Sequence, residues 1–269
     1  KGERALRIGM KAKDSVYSDA ITALSKDEPP KECGYLEFKR EMGSDKKYSN
    51  ENMPKESYSP EELSAEVLKE LKSLINDETV NSVVITVPAM FTAIQKDATM
   101  KAARIAGFKQ CELLQEPIAA CMAYGLSSEK KDGKWLVFDF GGGTFDAALV
   151  KVEDGILTVF DTEGDNDLSG KNLDEAVVKK ILMPSLKEDY VLSSYETTEW
   201  KKKALIDALK GPAEEMRIAL SFADSADYST YDRNLNLGQD DNGEEIDLEI
   251  TITKEQLIDA IGEQYQKAV

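Results

Sequence analysis

The sequence predicts an α/β protein with a mostly parallel sheet, and three observations support that prediction. Residues 83–87 are a continuous β-branched run, which is typical of a strand buried on both faces. A capping box at Thr92 begins a helix that ends at Gly107. A second strand at residues 112–115 and a second helix, opened by Pro117, repeat the same order. Strands and helices that alternate in this way are typical of parallel sheets.

The segments before this pattern are predicted to be shorter and more exposed. We expect a short helix within residues 1–19, and a strand or short turn at residues 34–43 that carries Lys39. Charged, proline-bearing stretches on either side of that turn indicate surface loops. Ser59, which a proline follows, is an N-cap for a longer helix that ends near Asn76.

A glycine-rich hairpin follows the polar segment 130–134, which is the predicted domain boundary. Residues 135–140 are interpreted as a buried strand, residues 141–143 as a turn of three glycines, and residues 145–150 as a second, alternating strand. The remaining predicted elements are a strand at 156–160, a helix at 172–190 kinked by Pro184, a helical tract at 198–222 interrupted by Gly211 and Pro212, a polar, acidic hairpin or loop at 224–245, a strand at 247–252 and a helix at 253–268. The acidic run 240–249 is interpreted as a solvated face.

The composition excludes several classes of function. The chain has 269 residues, enough for one large or two ordinary domains, and its net charge of −17 argues against nucleic acids and anionic membrane surfaces as partners. It contains no histidine, which excludes His-based triads and the usual zinc sites. No apolar run approaches ~18 residues, so we expect no membrane span. The three cysteines (Cys33, Cys111 and Cys121) are predicted to be reduced and structural, which suits a cytoplasmic protein.

The glycine turn is the strongest candidate for a binding site. Three consecutive glycines leave bare backbone, whose N–H groups can converge on an anion. Asp139 ends the first strand, Thr144 follows the turn and Asp146 lies two residues further on, so two carboxylates could hold a hydrated Mg²⁺ ion. The turn is neither a Walker loop nor a dinucleotide fingerprint, because no Gly-Lys-Ser/Thr follows and the next element is a strand. The alternative is a hairpin with a Gly-rich bulge and no ligand.

Residues outside the turn have two readings on sequence alone. Glu116 follows a strand and opens a helix, where it could orient a water molecule or balance the helix dipole. Lys39 by itself is interpreted most simply as a solvated surface residue. Glu214, Arg217 and Ser221 share one helix face, which by itself is an ordinary charged surface.

Several segments resemble one protein family, and they do so in the same order. The turn segment, FDFGGGTFD, resembles the second phosphate loop of DnaK-type, seventy-kilodalton heat-shock chaperones, which belong to the actin and sugar-kinase ATPase superfamily. The other matching segments are FKREMG, VVITVPAMF, LLQEPIAACMAYGL, GDNDLSGKNLD and AEEMRIALS.

The resemblance implies the nucleotide-binding (ATPase) domain of such a chaperone, with a two-lobed, actin-like (ribonuclease H-like) fold that is only partly present. The first lobe would be residues 1–129, without the first phosphate loop. The second lobe would be residues 130–269, without its C-terminal return. Because the chain begins at Lys1 without a methionine, the sequence is predicted to be a fragment.

The resemblance also assigns a role to each matching residue. By resemblance, the catalytic residues are Lys39, Glu116, Asp139 and Thr144; the nucleotide-binding residues are Gly141, Gly142, Gly143, Thr144, Gly170, Glu214, Arg217 and Ser221; and the metal-binding residues are Asp139 and Asp146. Two departures from the family pattern are Ser169, where the family has glycine, and the Gly211-Pro212 pair, which replaces good helix formers.

The implied function is ATP hydrolysis that uses Mg²⁺ and is coupled to peptide binding by a separate domain. The implied partners are unfolded or extended peptide clients, co-chaperones and nucleotide-exchange factors, with no role for nucleic acids or membranes, and the implied location is cytoplasmic. Two alternatives remain open at this point. One is a regulatory, exchange-factor-like relative that hardly hydrolyses ATP, and the other is a small-molecule kinase of the same superfamily.

Overall fold

A computed structural model of the chain describes residues 7–30, 34–49, 57–75, 79–125, 132–165 and 168–266. Cys33, the predicted helix end near Asn76 and the first two residues of the predicted boundary at 130–134 lie outside these residues. None of the described helices is long and apolar enough to cross a bilayer.

The described residues form helices and short strands in alternation. The α-helices are α1 (Met10–Lys26), α2 (Pro60–Ser73), α3 (Ala93–Ile105), α4 (Glu116–Gly125), α5 (Gly170–Val177), α6 (Met183–Asp189), α7 (Ser193–Thr197), α8 (Glu199–Ala219) and α9 (Lys254–Gln266). The strands are β1 (Tyr48–Ser49), β2 (Ser57–Tyr58), β3 (Ser82–Val87), β4 (Gln110–Gln115), β5 (Gly133–Phe140), β6 (Phe145–Glu153), β7 (Ile156–Asp165), β8 (Ser225–Ser229) and β9 (Glu249–Thr253). A 3₁₀ turn (Phe38–Glu41) and a π-helical turn (Val178–Leu182) complete the set.

The described residues group by contact into two compact units. The first holds those of Lys1–Gly9, Tyr35–Ser49 and Pro54–Ser169, and the second holds those of Met10–Gly34, Asn50–Met53 and Gly170–Val269. The predicted α/β class is confirmed at this level, because each unit mixes helices with sheet. The division differs from the expected boundary at residue 130, and the assignment of two lobes stays a prediction.

In the first unit, α2 and α3 pack beside a parallel pair of strands. Strands β3 and β4 run parallel, with Ser82 opposite Gln110. Both helices begin at the predicted N-cap residues, Ser59 and Thr92, and each N-cap forms a capping box. In α2, for example, the Glu62 N–H donates to Ser59 Oγ at 3.3 Å, and the Ser59 N–H donates to Glu62 Oε2 at 2.7 Å. The prediction that β3 is buried on both faces is wrong for this structure, because Val84 is 60% exposed. One face of β3 packs on Phe108 and the alanines of α2 and α3, and the described residues do not cover the other.

The first unit also contains the three-stranded antiparallel sheet β5-β6-β7. One face packs Ala148 and Val150 of β6 against Cys121 of α4. The other face carries Leu136 and Phe138, which are 73% and 56% exposed. The prediction that residues 135–140 form a buried strand is therefore half wrong. The strand exists, but the described residues cover only one of its faces.

The second unit is mainly helical, and its core lies around α8. Buried side chains of α8 alternate at helical spacing and pack on neighbouring helices and on β8-β9. The predicted interruption at Gly211 and Pro212 is wrong, because α8 runs without a break from Glu199 to Ala219 and buries Pro212. In place of the kink predicted at Pro184, the structure has a π-helical turn that ends at Leu182. A new helix, α6, begins at Met183, so Pro184 lies in its first turn.

Strand β8 lies in the segment 224–245 that was predicted as a hairpin or loop, and it pairs with β9, which corresponds to the strand predicted at 247–252. The two strands are antiparallel, with Ser225 opposite Thr253. The connection between them is not simply solvated, because Asp240 is buried. Its carboxylate accepts hydrogen bonds from the backbone N–H groups of Val191 at 3.1 Å, Asn242 at 2.8 Å and Glu244 at 2.9 Å. This carboxylate therefore shapes the loop, which charge patterning alone could not show.

Candidate functional site

The three glycines form a tight turn between β5 and β6. The N–H of Gly141 donates to the carbonyl of Thr144 at 2.9 Å and closes the turn. A Cβ added to Gly142 would meet no atom within 4 Å, so the outer side of the turn is open. Asp139, next to the end of β5, and Asp146, the second residue of β6, are directly opposite each other in the antiparallel register. The turn thus carries exposed backbone with a carboxylate on each strand.

Asp146 is the buried member of this carboxylate pair. Its residue is 5% exposed, the Thr144 side chain hydrogen-bonds to it, and its Oδ1 atom has no hydrogen-bond partner among the described residues. Burial raises the pKa of Asp146; the hydrogen bond from Thr144 opposes the shift, the charge of Asp139 adds to it and the charge of Lys39 opposes it. A buried carboxylate oxygen without a donor costs free energy that a cation or its water could recover.

This donor set fits a magnesium ion that retains most of its water. No group of three or more Cys, Asp or Glu side chains among the described residues is placed to hold a metal. Mg²⁺ needs fewer protein ligands, since it usually keeps several waters and binds through one or two carboxylates and phosphate oxygens. Asp139 and Asp146 can provide those carboxylates.

Lys39 and Glu116 form an ion pair in the same unit. Lys39 lies in the 3₁₀ turn, and Glu116 is the first residue of α4, directly after β4. The Lys39 Nζ and Glu116 Oε1 atoms are 3.0 Å apart. The charge of Lys39 also lowers the pKa of Asp146, so the Lys39–Glu116 pair lies within electrostatic range of the buried carboxylate, although the three residues are far apart in sequence.

The second unit holds the residues predicted to contact adenosine. Arg217 Nε donates to Asp174 Oδ1 at 2.6 Å, and Arg217 Nη2 donates to Asp174 Oδ2 at 3.3 Å. Lys13 Nζ donates to Glu214 Oε2 at 2.5 Å. Ser221 Oγ donates to the carbonyl of Arg217 at 3.3 Å.

These contacts give Glu214, Arg217 and Ser221 a defined partner each. Glu214 and Arg217 lie on α8, whereas Ser221 lies two residues beyond its end at Ala219, so the helix itself carries only two of the three predicted residues. Gly170, also predicted, is the buried first residue of α5 in this unit.

Comparison with known proteins identifies the family. The sequence matches the family described as Hsp70 protein over residues 24–268, which is most of the chain. The chain belongs to the Hsp70 family. A relative of this Hsp70 chain is the chaperone protein DnaK of Mycoplasmopsis agalactiae, which is 36% identical over 222 residues. That alignment covers 81% of this chain and 34% of the relative, so the chain spans about a third of the length of the curated relative that it matches.

The structure of this Hsp70 chain includes one contact at the turn that sequence reasoning missed. Arg40 Nη2 donates to Ser169 Oγ at 2.7 Å, and the two residues are 129 positions apart in sequence. Ser169 is fully buried. The only sequence signal was indirect: Ser169 departs from the glycine of the family pattern, and Arg40 follows the predicted Lys39. Neither observation predicts that the two side chains meet.

The two described cysteines of this Hsp70 chain fit the structural reading. Cys111 is half-buried and Cys121 is buried, and neither is in a disulfide. Burial raises the pKa of both thiols, although the charge of Arg104 partly opposes the shift at Cys111. A raised pKa keeps a thiol protonated and unreactive at neutral pH.

Proposed function

We propose that this chain is a nucleotide-binding, ATP-hydrolysing part of a DnaK-type chaperone. The observation that carries the proposal is the buried Asp146 carboxylate beside an open glycine turn, within a chain that belongs to the Hsp70 family. We further propose the two-lobed, actin-like arrangement of the family, with a first lobe of residues 1–129 and a second lobe of residues 130–269.

In this proposal the glycine turn holds the phosphates. The N–H groups of Gly142 and Gly143 donate to phosphate oxygens, because backbone without Cβ atoms allows a close approach. The hydroxyl of Thr144 donates to Asp146 in this structure and would turn to a phosphate oxygen when the nucleotide binds. Bound Mg²⁺ would neutralise charge on the phosphates, and Asp139 and Asp146 would hold it through its waters. Burial of Asp146 strengthens its attraction for the ion, since a low dielectric screens charges weakly.

Lys39 and Glu116 are proposed to place the attacking water. Their ion pair fixes both side chains, so the Glu116 carboxylate can accept a hydrogen bond from the water and Lys39 can donate to the γ-phosphoryl group that is transferred to this water as ADP leaves. Phosphoryl transfer depends mainly on such positioning and on charge stabilisation.

The adenosine part of the nucleotide is assigned to α8 and α5. Glu214 and Arg217 would contact the ribose and base, Ser221 would donate or accept at the base, and Gly170 would lie near the phosphates. The bidentate bond from Arg217 to Asp174 supports this role, because it holds the guanidinium in one orientation. Peptide clients, co-chaperones and nucleotide-exchange factors are proposed as partners of the full-length protein, which we place in the cytoplasm.

The test is single-turnover ATP hydrolysis by the full-length protein. We expect the separate changes Lys39→Ala and Thr144→Ala to slow hydrolysis by on the order of 100-fold, which is typical when one charge-stabilising group is removed. The matched control is Lys151→Ala, which breaks an exposed ion pair with Glu153 on β6. Unchanged rates in both variants would overturn the assigned roles. Tight ATP binding without hydrolysis in the unsubstituted protein would instead select the regulatory, exchange-factor-like alternative.

A further inference from the structure

In the 3₁₀ turn Phe38–Glu41, two neighbouring cationic side chains contact different partners. Side chains that follow one another in a 3₁₀ turn point about 120° apart. Lys39 accordingly reaches Glu116, whereas Arg40 reaches Ser169. Lys39 is already assigned to the attacking water. The role of Arg40 is therefore a separate question.

Arg40 lies against the glycine turn. A Cβ added to Gly143 would be 4.0 Å from the Nε atom of Arg40. The Arg40 side chain is 21% exposed, and its Nη1 atom is 3.5 Å from Glu37 Oε2. With Ser169 Oγ on Nη2, the guanidinium is held in place at the edge of the turn. An anion bound by the N–H group of Gly143 would be within reach of this group.

The charge around the turn is strongly negative, so an anion bound there needs a nearby cation. The turn is flanked by Asp139 and Asp146, and the whole chain carries a charge of −17, so a bound triphosphate would meet strong repulsion without local cations. The neighbouring cation, Lys39, is already paired with a carboxylate, because its Nζ atom lies 3.0 Å from Glu116 Oε1. Arginine presents several donors in a planar fork that matches phosphate oxygens, and its bonds to phosphate are stronger than neutral hydrogen bonds.

We propose that Arg40 is a phosphate-binding residue that makes the site prefer nucleoside triphosphates and diphosphates over monophosphates. Ser169 is its positioning residue, because the hydroxyl accepts the Nη2–H bond and sets the direction of the guanidinium. This proposal rests on the proposed function of the glycine turn. It adds a determinant of phosphate number that the sequence analysis did not assign.

The experiment is a comparison of binding affinities in the full-length protein by calorimetry. The ligands are Mg-ATP, Mg-ADP and AMP, and the variants are Arg40→Ala, Arg40→Lys and Ser169→Ala. The matched control is Arg104→Ala, because Arg104 Nε donates to the carbonyl of Met100 on its own helix. Thermal unfolding of each variant checks that it is folded.

We expect Arg40→Ala to weaken Mg-ATP binding by about 10- to 100-fold, as for the loss of a charge-assisted hydrogen bond, and to leave AMP binding unchanged. Arg40→Lys keeps the charge but loses the fork, so it should fall between the unsubstituted protein and Arg40→Ala. Ser169→Ala should weaken Mg-ATP several-fold and AMP not at all. The two milder variants keep the test valid if Arg40→Ala does not fold.

Two results would overturn the proposal. One is unchanged Mg-ATP affinity in all three variants, and the other is an equal loss for ATP, ADP and AMP, which would indicate a structural role only. The unsubstituted protein separates these results from failure of the proposed function. If that protein does not bind Mg-ATP more tightly than AMP, the function of the turn is wrong, and the role of Arg40 is wrong with it.

Discussion

Asp146 is a carboxylate whose burial works against the folded state when no cation is bound. Burial raises its pKa above the ordinary value of 3.8, so the folded protein holds this proton more tightly than the unfolded chain. The protonated carboxyl is therefore compatible with the fold. Stability is lost as pH rises through the raised pKa and the buried group becomes charged.

The change Asp146→Asn should make the nucleotide-free protein more stable at neutral pH. We expect a gain of about 1 kcal/mol in the free energy of unfolding, because an amide of the same shape carries no charge to bury. The gain should shrink as pH falls from the raised pKa and disappear below 3.8, where Asp146 is protonated in both states. Urea unfolding at a series of pH values measures it, and a gain that does not depend on pH would contradict the argument. The same variant should bind Mg-ATP more weakly.

Among the described residues of the second unit, Asp174 and Arg217 form the most buried ion pair. Replacing Asp174 by alanine should lower the free energy of unfolding by about 3 kcal/mol, because the Arg217 guanidinium would lose a bidentate, largely buried partner. Glu175→Ala is the neighbouring control, since Glu175 makes an exposed pair with Lys179 and should cost less than about 0.5 kcal/mol. Equal losses in urea unfolding would contradict the difference in burial.

At this scale the sequence showed which residue types were important but not their partners. The Lys13–Glu214 pair joins residues 201 positions apart, and the Arg40–Ser169 pair joins residues 129 positions apart. No local spacing encodes such contacts, since they depend on how distant elements pack. The carboxylates of the glycine turn were predictable because Asp139 and Asp146 are neighbours in sequence as well as in the register.

At the scale of elements, helix starts were predictable and strand environments were not. Ser59 and Thr92 cap α2 and α3 through bonds to residues three positions away, so the signal is local. The exposure of Val84 and Phe138 depends on whether a second layer covers the sheet, which a short apolar run does not reveal. The parallel pairing of β3 with β4 followed from the intervening helix.

The uninterrupted course of α8 leads to a prediction for its glycine. Gly211→Ala should raise the free energy of unfolding by about 0.5–1 kcal/mol, the usual gain for alanine within a helix. The added Cβ would meet only Tyr17 Cδ2, at 4.0 Å. In β7, by contrast, a Cβ on Gly164 would lie 2.5 Å from the carbonyl oxygen of Phe145. Gly164→Ala should therefore cost about 2 kcal/mol. Thermal unfolding compares the two, and a loss on Gly211→Ala would mean that α8 is not continuous there.

For the whole molecule, the excess of acidic residues sets the response to salt. The chain has 51 acidic and 34 basic residues, and because it has no histidine, no side chain ordinarily titrates between about pH 5 and 8. The repulsion among these charges destabilises a compact state and is screened by ions. The composition alone predicts this property, because it depends on charge number rather than on contacts.

We therefore expect the melting temperature of the nucleotide-free protein to rise by a few degrees from low to high concentrations of sodium chloride. Differential scanning calorimetry at neutral pH measures the shift. An unchanged melting temperature would mean that specific ion pairs, which salt weakens, offset the repulsion. Adding Mg-ATP should raise the melting temperature further. At a hundredfold excess over the dissociation constant, the ligand adds about 2.7 kcal/mol to the free energy of unfolding.

The proline inside α8 divides the hydrogen bonding of an otherwise continuous helix. Pro212 has no N–H group, so the carbonyl four residues earlier, in Ala208, receives no bond from that position. Backbone amides before and after this gap should accordingly exchange with deuterated solvent at separate rates, as two short segments rather than one long one. The turn that carries Glu214 and Arg217 could then open briefly while the preceding half of the helix stays protected.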